Sequence, residues 1–396
     1  MKFDIHFCLV SDQAAANLLP ILDNNFKPKE AIFLVSKSRE KKAEYLKSAF
    51  KDKGITVIIE YLENEFNLDL LEKNFLTIIE KYKEKNIALN ATGGTKLMSI
   101  IGVKIFDAIK KPIFYLNTSN NEIIFVSKEN NQYRSEKLQT RNDLEIYFSS
   151  YGFKINRSTS KEKVQINIPE IECFIQEYKK YKELIPKLNS YASKVKNNKK
   201  ENKYKVKINE QDEKINDIEK LLVKLNKNNL IEYNQDKIIN FKNDQIISFI
   251  KGGWLELYIY DKTKSLLNSD NIEEIEKIID CNITIKYPEY NKDEEEDHSD
   301  NLGKKNEFDI VFITKNCLHI IECKTGKIKG DTADKILYKL HALKNYGGLM
   351  TKTCLVTYSE VSQVVKNKAD HLRIKIIQGN EINNLENELQ KWIGLK

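Results

Sequence analysis

From Lys2 to about Val126 short apolar runs alternate with amphipathic stretches of helical period. The runs are FDIHFCLV (Phe3–Val10), AIFLV (Ala31–Val35), TVIIEY (Thr56–Tyr61), IALN (Ile87–Asn90) and IFYLN (Ile113–Asn117). Strands covered on both faces read as near-continuous apolar runs, and each is followed here by a helical segment. The pattern therefore predicts a parallel sheet with helices on both faces, a Rossmann-like domain. A sixth run, EIIFV (Glu122–Val126), follows Asn120-Asn121 and predicts an antiparallel hairpin strand at the sheet edge.

The pattern changes after residue 150. Asn156–Lys205 is lysine-rich, nearly free of glycine and helical in period, which predicts a helical connector; the run Lys194–Lys207 reads as an exposed loop. A helix (INDIEKLLVKLNKNNL) and a pair of short strands (IEYN, KIINF) follow, giving a small winged-helix-like element. Beyond Gly252-Gly253 the reading is helix (Trp254–Leu267), strand (Asn282–Tyr287), strand (Glu307–Ile313), strand (Leu318–Lys324), helix (Thr332–Asn345), strand (Lys352–Thr357), a strand near Ile374–Ile377 and a closing helix. The DEEED run, Asp293–Asp297, reads as a solvated loop. The expected division is 1–150, 151–250 and 251–396. It agrees with a length of 396 residues, too great for one ordinary core.

Composition narrows the class. Hydrophobic residues at 41%, charged residues at 31% and a mean hydropathy of -0.53 describe a globular, soluble chain. No apolar stretch approaches the ~18–20 residues that cross a bilayer, so no membrane role and a cytoplasmic location are expected. The six cysteines (Cys8, Cys173, Cys281, Cys317, Cys323, Cys354) form no CxxC pair and have no zinc-ligand spacing, which predicts reduced thiols. A net charge of +7 mildly favours a polyanionic partner.

The sharpest chemistry lies in EFDIVFITKNCLHIIECKTG. Side chains alternate along a strand, so Asp309 shares a face with Val311 and Ile313, and Glu322 and Lys324 share one with Leu318 and Ile320. With Lys315-Asn316 as a two-residue loop, Thr314 faces Cys317 and Asp309 faces Glu322. Two carboxylates opposed on an apolar face repel unless a cation lies between them, and hard divalent ions such as Mg²⁺ or Mn²⁺ suit oxygen ligands. The candidate metal set is Asp309, Glu322, the backbone carbonyl of Cys323 and Glu256 from the preceding helix. Lys324 would orient or deprotonate an attacking water or stabilise a developing phosphorane. Lys339 and Tyr338, on the following helix, would meet a backbone phosphate.

A second site follows the fourth predicted strand, at NATGGTKLMSIIGVKIF. Gly93 and Gly94 permit a tight turn and Thr95 can cap the next helix. Its first N–H groups with Asn90, Thr92 and Lys96 form an anion cradle at the strand's carboxyl end, where open α/β sheets bind ligands. The sequence is neither GxGxxG nor a complete Walker A, which disfavours dinucleotide cofactors and ATP hydrolysis. Ser11, Asp12 and Gln13, after the first strand, would lie on the same rim, with Ser36 after the second.

Asp309 followed by Glu322-Cys323-Lys324 resembles the PD-(D/E)xK superfamily, although Phe308 stands where a proline is usual. A Rossmann-like domain with TGGTK after its fourth strand, joined to such a core, is similar to the CARF-domain nucleases of type III CRISPR systems, over nearly the whole chain. The resemblance implies an α/β protein: a Rossmann-like sensor, a connector with the winged-helix-like element, and a restriction-endonuclease-like domain. It implies a homodimer in which a cyclic oligoadenylate, most often cyclic tetra-adenylate, spans two sensors and switches on cleavage of DNA, RNA or both. The connector Pro169–Lys207 is the expected transmitter. The competing expectation is a ligand-sensing regulator that binds nucleic acid through the small wing, its nuclease-like domain inactive.

Overall fold

A computed structural model describes residues 2–128, 131–140, 142–157, 168–195, 204–268, 278–286 and 306–394. Asp293–Asp297 and most of the Lys194–Lys207 run lie outside the described residues. The first half runs β1 (Ile5–Leu9), α1 (Ala15–Leu22), β2 (Glu30–Ser36), α2 (Glu40–Asp52), β3 (Thr56–Leu62), α3 (Leu68–Glu80), β4 (Ile87–Asn90), α4 (Lys96–Ala108), β5 (Ile113–Asn117), β6 (Glu122–Phe125), β7 (Ser135–Lys137) and α5 (Leu144–Ser150). Its sheet has the order β3-β2-β1-β4-β5-β6-β7, the first five strands parallel and the last two antiparallel. Alternation builds two layers. Ile5, Phe7, Leu9, Ile32 and Leu34 pack toward α3 and α4, while Cys8, Val10, Ala31, Phe33 and Val35 pack toward α1, α2 and α5. The strand order reverses between β1 and β4, so the loops after these two strands meet at the switch point. One expectation is corrected: β6 is not the edge, because β7 pairs along its outer side.

The chain continues through β8 (Lys154–Arg157), α6 (Ile168–Gln176), α7 (Tyr178–Tyr181), α8 (Leu184–Val195), β9 (Lys205–Lys207), α9 (Ile215–Lys227), β10 (Glu232–Tyr233), β11 (Ile238–Asn240) and α10 (Asp244–Ser248). The wing is a three-stranded sheet, β10-β11-β9, so Lys205–Lys207 is a strand rather than the expected loop. A π-type turn at Phe249–Gly253, kinked at Gly252 (φ 154°), leads into α11 (Trp254–Asn268).

The remaining elements are β12 (Ile278–Lys286), β13 (Asn306–Thr314), β14 (Cys317–Lys324), α12 (Gly330–Leu343), β15 (Lys352–Thr357), α13 (Gln363–His371), β16 (Ile374–Gln378) and α14 (Leu385–Ile393). They form a mixed sheet, β16-β15-β14-β13-β12-β8, whose last strand comes from the stretch expected to be connector. The β13–β14 hairpin keeps the anticipated register, from Thr314↔Cys317 to Ile310↔Ile321. Lys315 and Asn316 both have positive φ (49° and 56°), the pairing that a two-residue type I′ turn requires.

One face of this sheet packs on α6, α8, α11 and α14. The other, through Val311, Ile313, Leu318 and Ile320, shares a continuous apolar core with α12 and with α2 and α5 of the first half. Phe148 of α5 stacks near Phe308 with ring centroids 5.7 Å apart. The Tyr147 hydroxyl donates to Gly347 O at 2.9 Å, and Asn316 Nδ2 donates to Thr118 O at 2.8 Å. The two halves thus touch directly. The connector helices α6 to α8 pack on the far face of the second sheet.

Candidate active site and ligand cradle

Asp309 and Glu322 lie at the open end of the β13–β14 hairpin, one step beyond the last ladder pair, and both are buried. Asp309 Oδ2 accepts from Cys323 N at 2.7 Å, so a carboxylate rather than a carbonyl receives that amide. Glu322 is clasped twice: Lys324 Nζ to Oε1 and Lys339 Nζ of α12 to Oε2, each at 2.7 Å. Lys324 Nζ also donates to Cys323 O at 3.0 Å and stands 3.8 Å from Asp309 Oδ2. One ammonium therefore faces three of the oxygens expected to hold a cation.

Titration follows from this crowding. Burial, then the charge of Glu322, pushes Asp309 up to about 6. Burial, then Asp309, pushes Glu256 of α11 up to about 8. Burial pushes Glu322 the same way, yet Lys324 and Lys339 together outweigh it and leave its carboxyl below the ordinary value. Lys324 is buried too, but Asp309 and Glu322 hold its ammonium above the usual range.

Among the described residues no three His, Cys, Asp or Glu side chains already form a metal cage. The donors nonetheless suit a hard divalent ion. They are all oxygen, they converge on an ammonium that serves as a stand-in cation, and the two raised carboxyls report a surplus of acid. Sequence reasoning missed how Glu256 is brought there. Thr325 Oγ1 donates to Lys251 O at 3.2 Å, and a Cβ on Gly252 would stand 3.2 Å from the Thr325 hydroxyl. The glycine pair read as a boundary marker thus lets the start of α11 approach the end of β14. Tyr338 is exposed, with Lys368 Nζ 4.7 Å from its ring centre.

At the other end, TGGTK forms the turn between β4 and α4. Gly93 has no room for a side chain: a Cβ would sit 2.1 Å from Leu9 O. Gly94 adopts φ 74°, and a Cβ there would meet Leu9 Cβ at 2.9 Å. The turn is pressed against the β1–α1 loop, bringing Ser11 and Gly93 together. Thr95 Oγ1 accepts from Met98 N at 3.2 Å, capping one of the amides that helix geometry leaves free.

Two predicted contacts belong to the scaffold beneath the rim. Asn90 is buried, donating to Ala16 O and Asn17 Oδ1 and accepting from Thr92 Oγ1 at 2.6 Å. Thr92 in turn accepts from Leu116 N at 2.8 Å, which ties the cradle to β5. Ser36 is also buried, its hydroxyl 3.1 Å from that of Ser38. Ser11, Gln13, Gly94 and Thr95 are half-buried, while Lys96 and Asp12 are exposed. Asp12 pairs with Arg39 at 2.9 Å, a rim cation that no motif in SKSRE announced.

A Rossmann-type sheet with a ligand cradle, packed on a restriction-endonuclease-like sheet with a buried acid pair, is the class that fold and site define. Within it, residues 5–147 match the family described as the Card1 CARF domain, and residues 243–396 match the Card1-like endonuclease domain. The chain carries a Card1-type CARF domain followed by a Card1-like endonuclease domain.

Solved structures share the fold. Can2 from Sulfobacillus thermosulfidooxidans, in complex with cyclic tetra-adenylate, is 23% identical with a TM-score of 0.76 over 99% of this chain and 97% of its own. Protein VC1899 from Vibrio cholerae is 19% identical with a TM-score of 0.81 over 98% of each chain. A type III CRISPR defence DNA nuclease activated by cyclic oligoadenylate is 14% identical with a TM-score of 0.51, over 91% of this chain and 46% of its own. No curated protein matched the chain. No helix among the described residues is long and apolar enough to cross a membrane.

Proposed function

We propose that this protein is a divalent-metal-dependent endonuclease of type III CRISPR defence, switched on in the cytoplasm by a cyclic oligoadenylate, with cyclic tetra-adenylate as the activator. The observation that carries the reading is the buried Asp309–Glu322 pair with one ammonium set across its oxygens. Can2 was solved with cyclic tetra-adenylate, which supports that ring here.

Asp309, Glu322, the Cys323 carbonyl and Glu256 would hold Mn²⁺ or Mg²⁺, which when bound supplies Lewis-acid polarisation of a phosphoryl oxygen. Lys324 would hold the attacking water and steady phosphorane charge. Lys339 fixes Glu322 and flanks the phosphate. On the sensor side Ser11, Asp12, Gln13, Gly93, Gly94, Thr95 and Lys96 form the ligand rim, while Asn90, Thr92 and Ser36 shape it from below. We keep the division 1–150, 151–250 and 251–396, with Lys154–Arg157 lent to the last sheet. The exposed Ile100 of α4 and Tyr115 of β5 offer an apolar surface to a second copy, as a two-fold ring ligand requires.

Transmission is assigned to the direct junction. Tyr151 lies under the start of α1, just past the Ser11–Gln13 loop. Burial pushes its phenol up to about 12 against the opposing pull of Tyr147 and the Ala14 and Ala15 amides. A Cβ on Gly348 would come within 2.6 Å of the Tyr151 hydroxyl. The Tyr147–Tyr151 pair thus stands between the ligand loop and the Gly347-Gly348 turn that leads into β15, the neighbour of β14.

The test is incubation of purified protein with Mn²⁺, oligoadenylate rings of several sizes and labelled DNA and RNA. Cleavage that requires both metal and ring is expected, strongest with cyclic tetra-adenylate. Retarded nucleic acid without cleavage under every condition would mark the protein as a regulator instead.

A further inference from the structure

Away from both sites, Cys173 of α6 and Lys224 of α9 meet side chain to side chain. Lys224 Nζ lies 2.7 Å from Cys173 Sγ. Glu177, between α6 and α7, has Oε1 3.0 Å from the same sulfur, and the Tyr181 hydroxyl lies 4.0 Å from it. Both the cysteine and the lysine are half-buried, so a small oxidant can reach them. Ordinary N–H···O hydrogen bonds span about 2.7–3.2 Å, and the larger radius of sulfur moves N–H···S contacts outward. A nitrogen at 2.7 Å from sulfur is therefore too near for a relaxed hydrogen bond and too far for a direct S–N bond. A single bridging atom spans it.

We infer that Cys173 and Lys224 form an oxidative modification site, where peroxide joins the two side chains through one oxygen atom as a reversible N–O–S crosslink. The thiolate attacks one peroxide oxygen and the O–O bond breaks. The departing hydroxide takes a proton from the Lys224 ammonium, leaving a sulfenic acid, water and a free amine. The amine attacks a second peroxide, which gives a hydroxylamine and water. The hydroxylamine oxygen then displaces the sulfenic hydroxyl from sulfur, and a third water leaves. Sulfur and nitrogen each give up two electrons, and the two peroxides take up all four.

The bridge fastens together helices that come from distant parts of the connector. Phe174, beside the cysteine, packs edge-on against Trp254 at 5.5 Å, two residues before Glu256. Closing a long loop restricts the unfolded chain, so the crosslink stabilises the connector module and its seat on α11.

The full-length protein, treated with hydrogen peroxide and then divided with and without dithiothreitol, tests this by peptide mass mapping and thermal unfolding. The expected product is one linked pair of peptides, bearing Cys173 and Lys224, with one oxygen added and two hydrogens lost. It should vanish with dithiothreitol and be absent from folded Cys173→Ser and Lys224→Arg variants, and oxidation should raise the Tm of the wild type alone. A Cys173 that oxidises fully without the linked pair, a pair that persists in Lys224→Arg, or a pair joined without added oxygen would each overturn the inference. Peroxide response in the nuclease assay is not the readout, so the outcome is independent of the proposed activity.

Discussion

The two proposed phosphate sites are built by opposite means. The endonuclease site concentrates charge: two buried carboxylates, a third raised to about 8, and two lysines that restrain them. The CARF cradle is nearly neutral and depends on missing side chains, since Gly93 and Gly94 let one turn lie against another. A buried charge must have partners whose types are constrained, whereas a close backbone approach asks only that a Cβ be absent. Damage to the first should abolish chemistry and spare ligand binding; damage to the second should do the reverse.

The largest effect tests the charged end. Glu322→Gln keeps the shape but removes the charge that both lysines clasp. Cleavage should fall by roughly 10³-fold or more, in line with losing a preorganised electrostatic group. Activator affinity, measured calorimetrically with cyclic tetra-adenylate, should stay within about twofold, far less than the tenfold that 1.4 kcal/mol would give. A variant that cuts at the wild-type rate would remove the metal-site assignment.

Next comes the neutral end. Gly93→Ala places a methyl 2.1 Å from Leu9 O, backbone against side chain, which only movement of the β1–α1 loop can relieve. Overpacking of this kind costs about 1–3 kcal/mol. Activator binding should weaken by about tenfold or more. The few turnovers made without activator should be unchanged. Equal losses in binding and in basal cleavage would show that the two ends are not separable in this way.

A third contrast concerns acid. His6 in the CARF sheet and His319 in the nuclease sheet are both buried, burial lowers each to about 3, and each has an Nε2 without a hydrogen-bond partner. A histidine with a lowered folded value stays neutral in the folded state while the unfolded chain takes up a proton. Its stabilising effect is present above about 6.5 and is lost as pH falls from there toward 3. At pH 5 each should cost about 2 kcal/mol relative to neutral pH. His6 sits among Phe26 and Phe114, so His6→Phe should reduce the drop in Tm between pH 7.5 and 5. The same slope in variant and wild type would assign the acid sensitivity elsewhere.

What could be read in advance follows the same division. β1, β2 and β4 were visible because both of their faces are covered, while β3 and β5 kept their apolar runs although Ile58, Tyr61 and Tyr115 are exposed; IALN and IFYLN ended where β4 and β5 end. The opposed carboxylates were visible because a two-residue turn leaves one register for the hairpin. β8 was not, since KINR carries no alternation and its partner β12 lies more than a hundred residues away in sequence. That Asn90 is buried and donates to Ala16 O and Asn17 Oδ1 was not legible, because its place after a buried strand says nothing about which polar groups lie beneath. Asn316 read as a turn residue, and its positive φ bears that out, but nothing local signals that the same side chain donates to Thr118 of the other domain.

The smallest expected effect bears on how the two ends communicate. Tyr147 is fully enclosed in α5, and its only distinction from phenylalanine is the hydroxyl that donates to Gly347 O. Tyr147→Phe removes one buried hydrogen bond, a net change of about 1 kcal/mol. If the junction were only structural, that loss would appear as a lower Tm with an unchanged activation ratio. If it relays the state of the Ser11–Gln13 loop, activated cleavage should fall by a few-fold while activator affinity and basal cleavage hold. Asn316→Gly provides the parallel measurement at the second contact, because glycine keeps the positive φ of the turn and deletes the bonds that the side chain gives to Thr118 O and Asn121 Oδ1. Because α6 to α8 pack on the far face of the second sheet, substitutions along their exposed faces should leave the ratio unmoved, and a connector variant that shifts it more than Tyr147→Phe would return the role of transmitter to the helices.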